Sequence, residues 1–208
     1  MNSSDTLSLN NFISTYDAAL ILENGYIFKG TGIGIKGKTI GELCFNTSIT
    51  GYQEIITDPS YADQIINFTF PHIGVTGTNN IDNESLKPSA KGIIVKNSIT
   101  YPSNFRSLLN LNNWLIKKRI IGIQGIDTRS ITNLIRTNGY LNAIIINGKI
   151  TSKIISESLK EVKIWKGLKG KDLASKVSCK KPYKWKEKSF YNKNYYKLNI
   201  QKYKKPSK

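Results

Sequence analysis

A chain of 208 residues, 39% of them apolar, is long enough to bury a core of its own and suits one domain with or without appendages. Its two cysteines, Cys44 and Cys179, lie far apart and speak against a disulfide framework or a zinc module. No apolar run approaches bilayer length, so no membrane partner is expected, and the formal charge of +17 raises the question of nucleic acid.

Most of that charge is local. Lys180 to Lys208 holds 11 Lys and one Glu, leaving 20 basic and 13 acidic groups in the first 179 residues. The arginines are Arg106, Arg119, Arg129 and Arg136, whereas sequence-specific recognition leans on the planar fork of Arg. Abundant Ile, Lys, Asn and Tyr together are what an A/T-biased genome encodes. The charge is therefore read as compositional, and nucleic acid is not expected as a partner. The rival reading is a non-enzymatic nucleic-acid-binding protein whose Lys/Tyr-rich tail stacks on bases and neutralises phosphates; a relic, truncated gene product is a third.

Residues 1–17 have neither a basic start nor a continuous apolar core, so they read as a disordered extension rather than a secretory signal, and the chain reads as cytoplasmic. Ala18 to Leu22 and Tyr26 to Lys29 are apolar strands around Asn24-Gly25, a strong hairpin signal. Gly30 to Gly41 carries five glycines. No Gly-Lys-Ser/Thr follows, so a phosphate loop is excluded and a turn region with bulged strand edges is expected. Cys44 alternates with Leu43 and Phe45 in a further strand and reads as a small buried hydrophobe.

Strands follow at Ile65 to Phe70, Gly92 to Val95, Ile120 to Ile123 and Leu141 to Ile146. Apolar residues at helical spacing predict a helix over Ser107 to Lys118, containing Trp114. A second, Thr128 to Thr137, is capped by Asp127 and stopped by Gly139. Thr151 or Ser152 caps a third, with Ile154, Ile155, Leu159 and Val162 inward. Asp172 to Val177 is expected to add one turn. Arg129 and Arg136 read as solvated residues of the second helix. Helices alternating with strands in the second half, after a strand-rich first half, indicate an α/β domain with mixed sheets. Beyond Cys179 no period persists, and residues 179–208 read as a basic linker or tail.

The most informative stretch is Gly41 to Tyr61, GELCFNTSITGYQEIITDPSY. A strand runs into polar Asn46-Thr47-Ser48, one or two helical turns cover Tyr52 to Ile56, and Pro59 holds Asp58 extended and ends them. Ser60 is thereby displayed on a polar loop between two buried strands, a common position for binding residues. His72, the only histidine, has no Cys or carboxylate partner nearby in sequence and reads as structural.

The run from Phe45 to Tyr61 closely resembles the start of the small, glutamine-hydrolysing chain of carbamoyl-phosphate synthase. Three further blocks are similar to that family in the same order: Pro71-His72-Ile73-Gly74 with Gly77-Thr78-Asn79, Pro102 to Arg106, and Gly125 to Arg129. Val75 departs from the Asn usual in the family turn. The resemblance spans about Ala18 to Val177 and implies a three-layer β/β/α swivelling domain over 18–178. It further implies docking of a glutaminase to the large synthetase chain, for carbamoyl phosphate formation from glutamine, bicarbonate and ATP. By the same resemblance Ser60 would bind glutamine of the following domain. ATP and metal sites would lie on the large chain, so no cofactor, metal ligand or catalytic residue is assigned here. The family glutaminase domain, with its Cys-His-Glu triad, has no counterpart within the 208 residues, so no glutamine hydrolysis is expected of this chain alone.

Overall fold

A computed structural model describes residues 16–184. It divides into two units: one ending at Val177, and one from Ser178 onward whose described residues, 178–184, form no helix or strand. The expectations for residues 1–15 and for the tail beyond Lys184 fall outside the described residues.

Seven strands build the first unit: β1 (Ala18–Leu22), β2 (Ile27–Gly34), β3 (Gly37–Asn46), β4 (Gln64–Phe68), β5 (Gly92–Val95), β6 (Ile121–Gln124) and β7 (Asn142–Asn147). They close into one barrel in the order β1-β2-β6-β5-β4-β3-β7. β3, β4, β5 and β6 run parallel, and the remaining pairings are antiparallel. The α/β composition and mixed strand directions expected from the sequence are present.

Alternate residues decide what fills the barrel, because successive side chains of a strand point to opposite faces. Leu20, Leu43, Ile65, Ile94, Ile123 and Ile145 pack into one cluster drawn from six strands, which places them inside. Helix α3 (Thr128–Asn138) contributes Ile131, Leu134 and Ile135 to the same cluster and closes one end. The opposite faces of β4 and β5, with Ile33 of β2, pack on Tyr52 and Ile56 of α1 (Tyr52–Thr57) and on Leu111, Trp114 and Leu115 of α2 (Leu111–Lys118). α4 (Ser152–Ile164) covers β1 and β7 through Ile154, Ile155, Leu159 and Val162. A short α5 spans Leu173–Val177.

Strands covered on both faces read as continuous apolar runs. β1, β5 and β7 are buried at every position, as their sequences AALIL, GIIV and NAIIIN indicate.

Two boundaries differ from the sequence reading. Gly30 to Gly41 is not a turn region: β2 and β3 run through it, and only Ile35 and Lys36 lie between them. A Cβ on Gly32 would sit 1.9 Å from Oδ1 of Asn147, whose amide donates to the carbonyls of Ile33 and Ile35 at 3.0 Å each. Glycine is there for close approach inside a narrow barrel. Helix α2 begins at Leu111 and not at Ser107, because Leu108 and Leu109 donate their amides to the Thr78 carbonyl. Asn110 then caps the helix by accepting from the Asn113 amide at 2.8 Å.

The remaining elements follow the sequence closely. Gly25 turns the β1–β2 hairpin at φ 94°. Asp127 accepts from the amides of Arg129 and Ser130 at 3.0 and 3.1 Å, and Thr151 caps α4.

Candidate functional site

The loops that leave the C-terminal ends of the parallel strands β3, β4 and β5 meet around a cavity of about 210 Å³. Its walls come from three separate segments: Thr50–Glu54, the turn containing Thr76, Gly77 and Asn79 with Asp82, and Asn104 with Arg106. Ligand sites of α/β sheets favour the carboxyl ends of strands, where loops vary without disturbing the core.

Each wall is held by buried hydrogen bonds. The Tyr52 hydroxyl, in a residue 1% exposed, donates to the Gly77 carbonyl at 2.7 Å and accepts from the Thr76 hydroxyl at 2.8 Å. Burial accordingly pushes the Tyr52 phenol up from its ordinary value. The Gln53 amide donates to the Asn79 carbonyl at 2.6 Å and accepts from the Asn79 amide at 2.9 Å. Asn79 in turn accepts from the amides of Ile81 and Asp82 through Oδ1, at 2.8 and 2.9 Å, and donates to the Asp82 carboxylate at 2.7 Å. Such side-chain-to-backbone bonds define a loop that has no sheet ladder to rest on.

Gly77 brings the second and third walls together. Its φ is 65°, and a Cβ there would lie 2.0 Å from the Ser107 hydroxyl and 3.0 Å from Pro102. The Val75 carbonyl accepts from the Ser103 amide at 2.8 Å, so Val75 joins the walls through its backbone, which any residue type supplies.

The charges are uneven. Arg106 pairs with Asp82, while Glu54 forms no salt bridge among the described residues. Burial pushes the Glu54 carboxyl above its ordinary value; Asp82 and Glu84 add to the rise, and its own amide and Arg106 oppose it. Among the described residues that line it, the cavity carries two carboxylates, Glu54 and Asp82, and the guanidinium of Arg106.

Ser60 does not line this cavity. It sits exposed on a 3-10 turn, Pro59–Tyr61, with its amide donating to the Asp58 carboxylate at 2.8 Å. Its hydroxyl makes no hydrogen bond among the described residues. α1 leads from the cavity wall at Tyr52 to the Ser60 turn, a length of about 9 Å for six helical residues. Asn46 ties that turn to the barrel, donating to the Tyr61 hydroxyl at 3.0 Å while its carbonyl accepts from the Thr69 amide.

His72 is exposed, with its ring edge-on to Phe70 at 5.9 Å. Cys44 is half-buried, not fully buried; its thiol donates to the Ile65 carbonyl at 3.7 Å, and burial pushes it up to about 12. A thiol so protonated is a poor nucleophile. Arg129 and Arg136 are exposed on α3. Among the described residues, no three His, Cys, Asp or Glu side chains gather to hold a metal ion, and no helix is long and apolar enough to cross a membrane.

Reasoning from sequence picked out Ser60 but not Glu54, Asp82 or Arg106. Glu54 and Arg106 lie inside the quoted family blocks, and that was the available signal. Asp82 lies outside them, and nothing in one dimension marks it.

The sequence has relatives among known proteins. The family model described as carbamoyl-phosphate synthase small chain, CPSase domain, matches residues 20–145. The chain is 50% identical over 188 residues to a carbamoyl phosphate synthase small chain of Bartonella quintana (strain Toulouse), covering 88% of this chain and 47% of the relative. A protein of the same name from Bradyrhizobium diazoefficiens is 45% identical over 82% of this chain and 44% of its own. Another, from Vibrio cholerae, is 46% identical over 83% and 45%. The chain spans about half the length of the curated relatives it matches.

Proposed function

The chain belongs to the carbamoyl-phosphate synthase small-chain family, and on that premise we propose that residues 18–178 act as the N-terminal domain of such a small chain. Its work is architectural: it docks a glutaminase domain onto the large synthetase chain, as one half of a heterodimer. The assembly is a cytoplasmic ligase that makes carbamoyl phosphate from glutamine-derived ammonia, bicarbonate and ATP, for arginine and pyrimidine biosynthesis. ATP and metal belong to the large chain. The three-layer β/β/α swivelling description of the domain is part of this reading.

The observation that carries it is the convergence of three family blocks, separated by up to about fifty residues, on one end of the barrel. Loops gathered at the carboxyl ends of parallel strands are a common seat of binding function. Ser60 lies on the exposed turn that follows α1, and we assign it the role of reaching glutamine across a domain boundary, where ligand sites often form. Glutaminase chemistry is assigned to the separate domain, since Cys44 is protonated and half-buried and His72 makes no hydrogen bond to it.

The test is size-exclusion chromatography of this chain mixed with the large synthetase chain of the same source at moderate salt. Co-elution at a defined ratio supports docking. Separate elution, with nucleic acid carried through purification, transfers support to the basic-tail reading.

A further inference from the structure

The last helix of the first unit is held differently from the others. No residue of α5 (Leu173–Val177) is buried, whereas α1, α2, α3 and α4 each bury at least two. Charge ties α5 to the barrel instead: Lys176 Nζ donates to the two carboxylate oxygens of Asp63 at 2.9 and 2.8 Å. Asp63 presents that carboxylate from a fixed backbone. Its φ of 61° is a left-handed value that Asp tolerates, and its carbonyl accepts from the Glu42 amide of β3 at 3.2 Å. The same carboxylate has a second partner, Lys91 Nζ, at 3.2 Å. The Lys91 amide donates to the Gln64 carbonyl at 2.7 Å, so Lys91 belongs to the barrel, while Lys176 arrives on α5.

Two lysines on one carboxylate make an unequal pair. The Asp63 side chain is 11% exposed and would be costly to leave without a partner. If α5 lifts away, Lys91 stays beside it, so no orphaned charge opposes the opening. Lys176, with a side chain 54% exposed, returns to water readily. We propose that α5 is a latch: Lys176 docks it on Asp63, Lys91 keeps the carboxylate paired when it lifts, and the two states exchange without unfolding the barrel. Asp63 follows the Pro59–Tyr61 turn after Ala62, whose amide donates to the Pro59 carbonyl at 3.1 Å. The latch thus fastens the end of the first unit to a residue three positions from Ser60, and holds the point at which the chain beyond Val177 leaves that unit. The inference concerns the first unit alone and stands apart from the docking reading.

The experiment is amide hydrogen exchange of the whole chain, comparing wild type with Asp63→Asn, Lys176→Met and Lys91→Met, at low and at high salt. Amides of β5 and β7, buried at every position, report in the same data that each variant keeps its barrel. Exchange in residues 173–177 is expected to quicken by about fivefold in Asp63→Asn and in Lys176→Met, the worth of a half-exposed ion pair. Lys91→Met acts in the opposite direction, slowing exchange in α5, because it removes the competitor for Asp63 and the repulsion between the lysines. High salt quickens exchange in α5 of the wild type and has no such effect in Asp63→Asn. A general loss of stability would quicken α5 in all three variants, so faster exchange in Lys91→Met overturns the latch. Unchanged α5 rates in Asp63→Asn and Lys176→Met overturn it as well. Neither result touches the docking reading.

Discussion

The side-chain amide of Gln53 and the backbone of Asn79 exchange two hydrogen bonds, Nε2 to the carbonyl at 2.6 Å and the Asn79 amide to Oε1 at 2.9 Å. An amide side chain thereby stands in for a strand, pairing α1 with a loop that has no ladder partner there. Gln53 is 3% exposed, so both Asn79 groups depend on it. Gln53→Ala is expected to cost about 3 kcal/mol, because two buried backbone groups lose their partner. Urea unfolding measures this directly; a loss below about 1 kcal/mol would mean water replaces the amide.

Gly77 and Gly25 both hold positive φ, 65° and 94°, but differ in their surroundings. Nothing lies within 4 Å of a Cβ on Gly25, whereas one on Gly77 meets the Ser107 hydroxyl at 2.0 Å. Gly25→Ala should therefore cost only the backbone strain, about 1 kcal/mol. Gly77→Ala adds overpacking and should cost about 3 kcal/mol. Equal losses in thermal or chemical unfolding would contradict the close approach of the two loops.

Asp63, itself at φ 61°, accepts from Lys176 Nζ at 2.8 and 2.9 Å and pairs with Lys91 at 3.2 Å. Burial acts to raise its carboxyl, yet the two lysines outweigh burial and hold it below the ordinary value. A depressed folded value means that Asp63 contributes stability fully above the ordinary value of 3.8, and that this is lost as pH falls through the lowered one. Asp63→Asn should flatten the acid limb of the stability profile below about pH 4. Melting temperatures of both proteins across that limb decide it, and parallel curves would exclude the pair as a source.

Ser60 offers a hydroxyl that makes no hydrogen bond among the described residues, on a turn fixed by Asp58. In a full-length small chain of this family, Ser60→Ala is expected to raise KM for glutamine by roughly three- to tenfold, the worth of one neutral hydrogen bond. Synthesis driven by added ammonia should be unaffected. An unchanged KM removes Ser60 from the glutamine site.

Cys44 and Cys179 should separate chemically. The Cys44 thiol is half-buried and raised to about 12, while Cys179 is exposed. Aromatic disulfide reagent at pH near 8 should titrate Cys179 quickly and Cys44 only on unfolding. Two equally fast thiols would show that β3 opens at its Cys44 edge.

The chain's local grammar was readable before any coordinates. Uninterrupted apolar runs announced β1, β5 and β7, and the capping residues Asp127 and Thr151 announced the starts of α3 and α4, because caps and periodicity act over a few residues. The family blocks were legible for the same reason, as unbroken strings. Sequence alone also located Ser60 on a punctuated loop.

Tertiary structure decided the rest. The glycines of β2 looked like a turn, because nothing in one dimension shows that Asn147, more than a hundred residues away, crosses close to Gly32 inside a barrel. Ser107 to Leu109 had helical periodicity, but pairing with Thr78 took their backbone first. The pocket of Glu54, Asp82 and Arg106 exists only once the parallel strands bring three loops to one end. Propensity, capping and turn chemistry are short-range and survive in the string of residues; strand closure, close approach and the sharing of charge among loops depend on distances that only the folded chain sets.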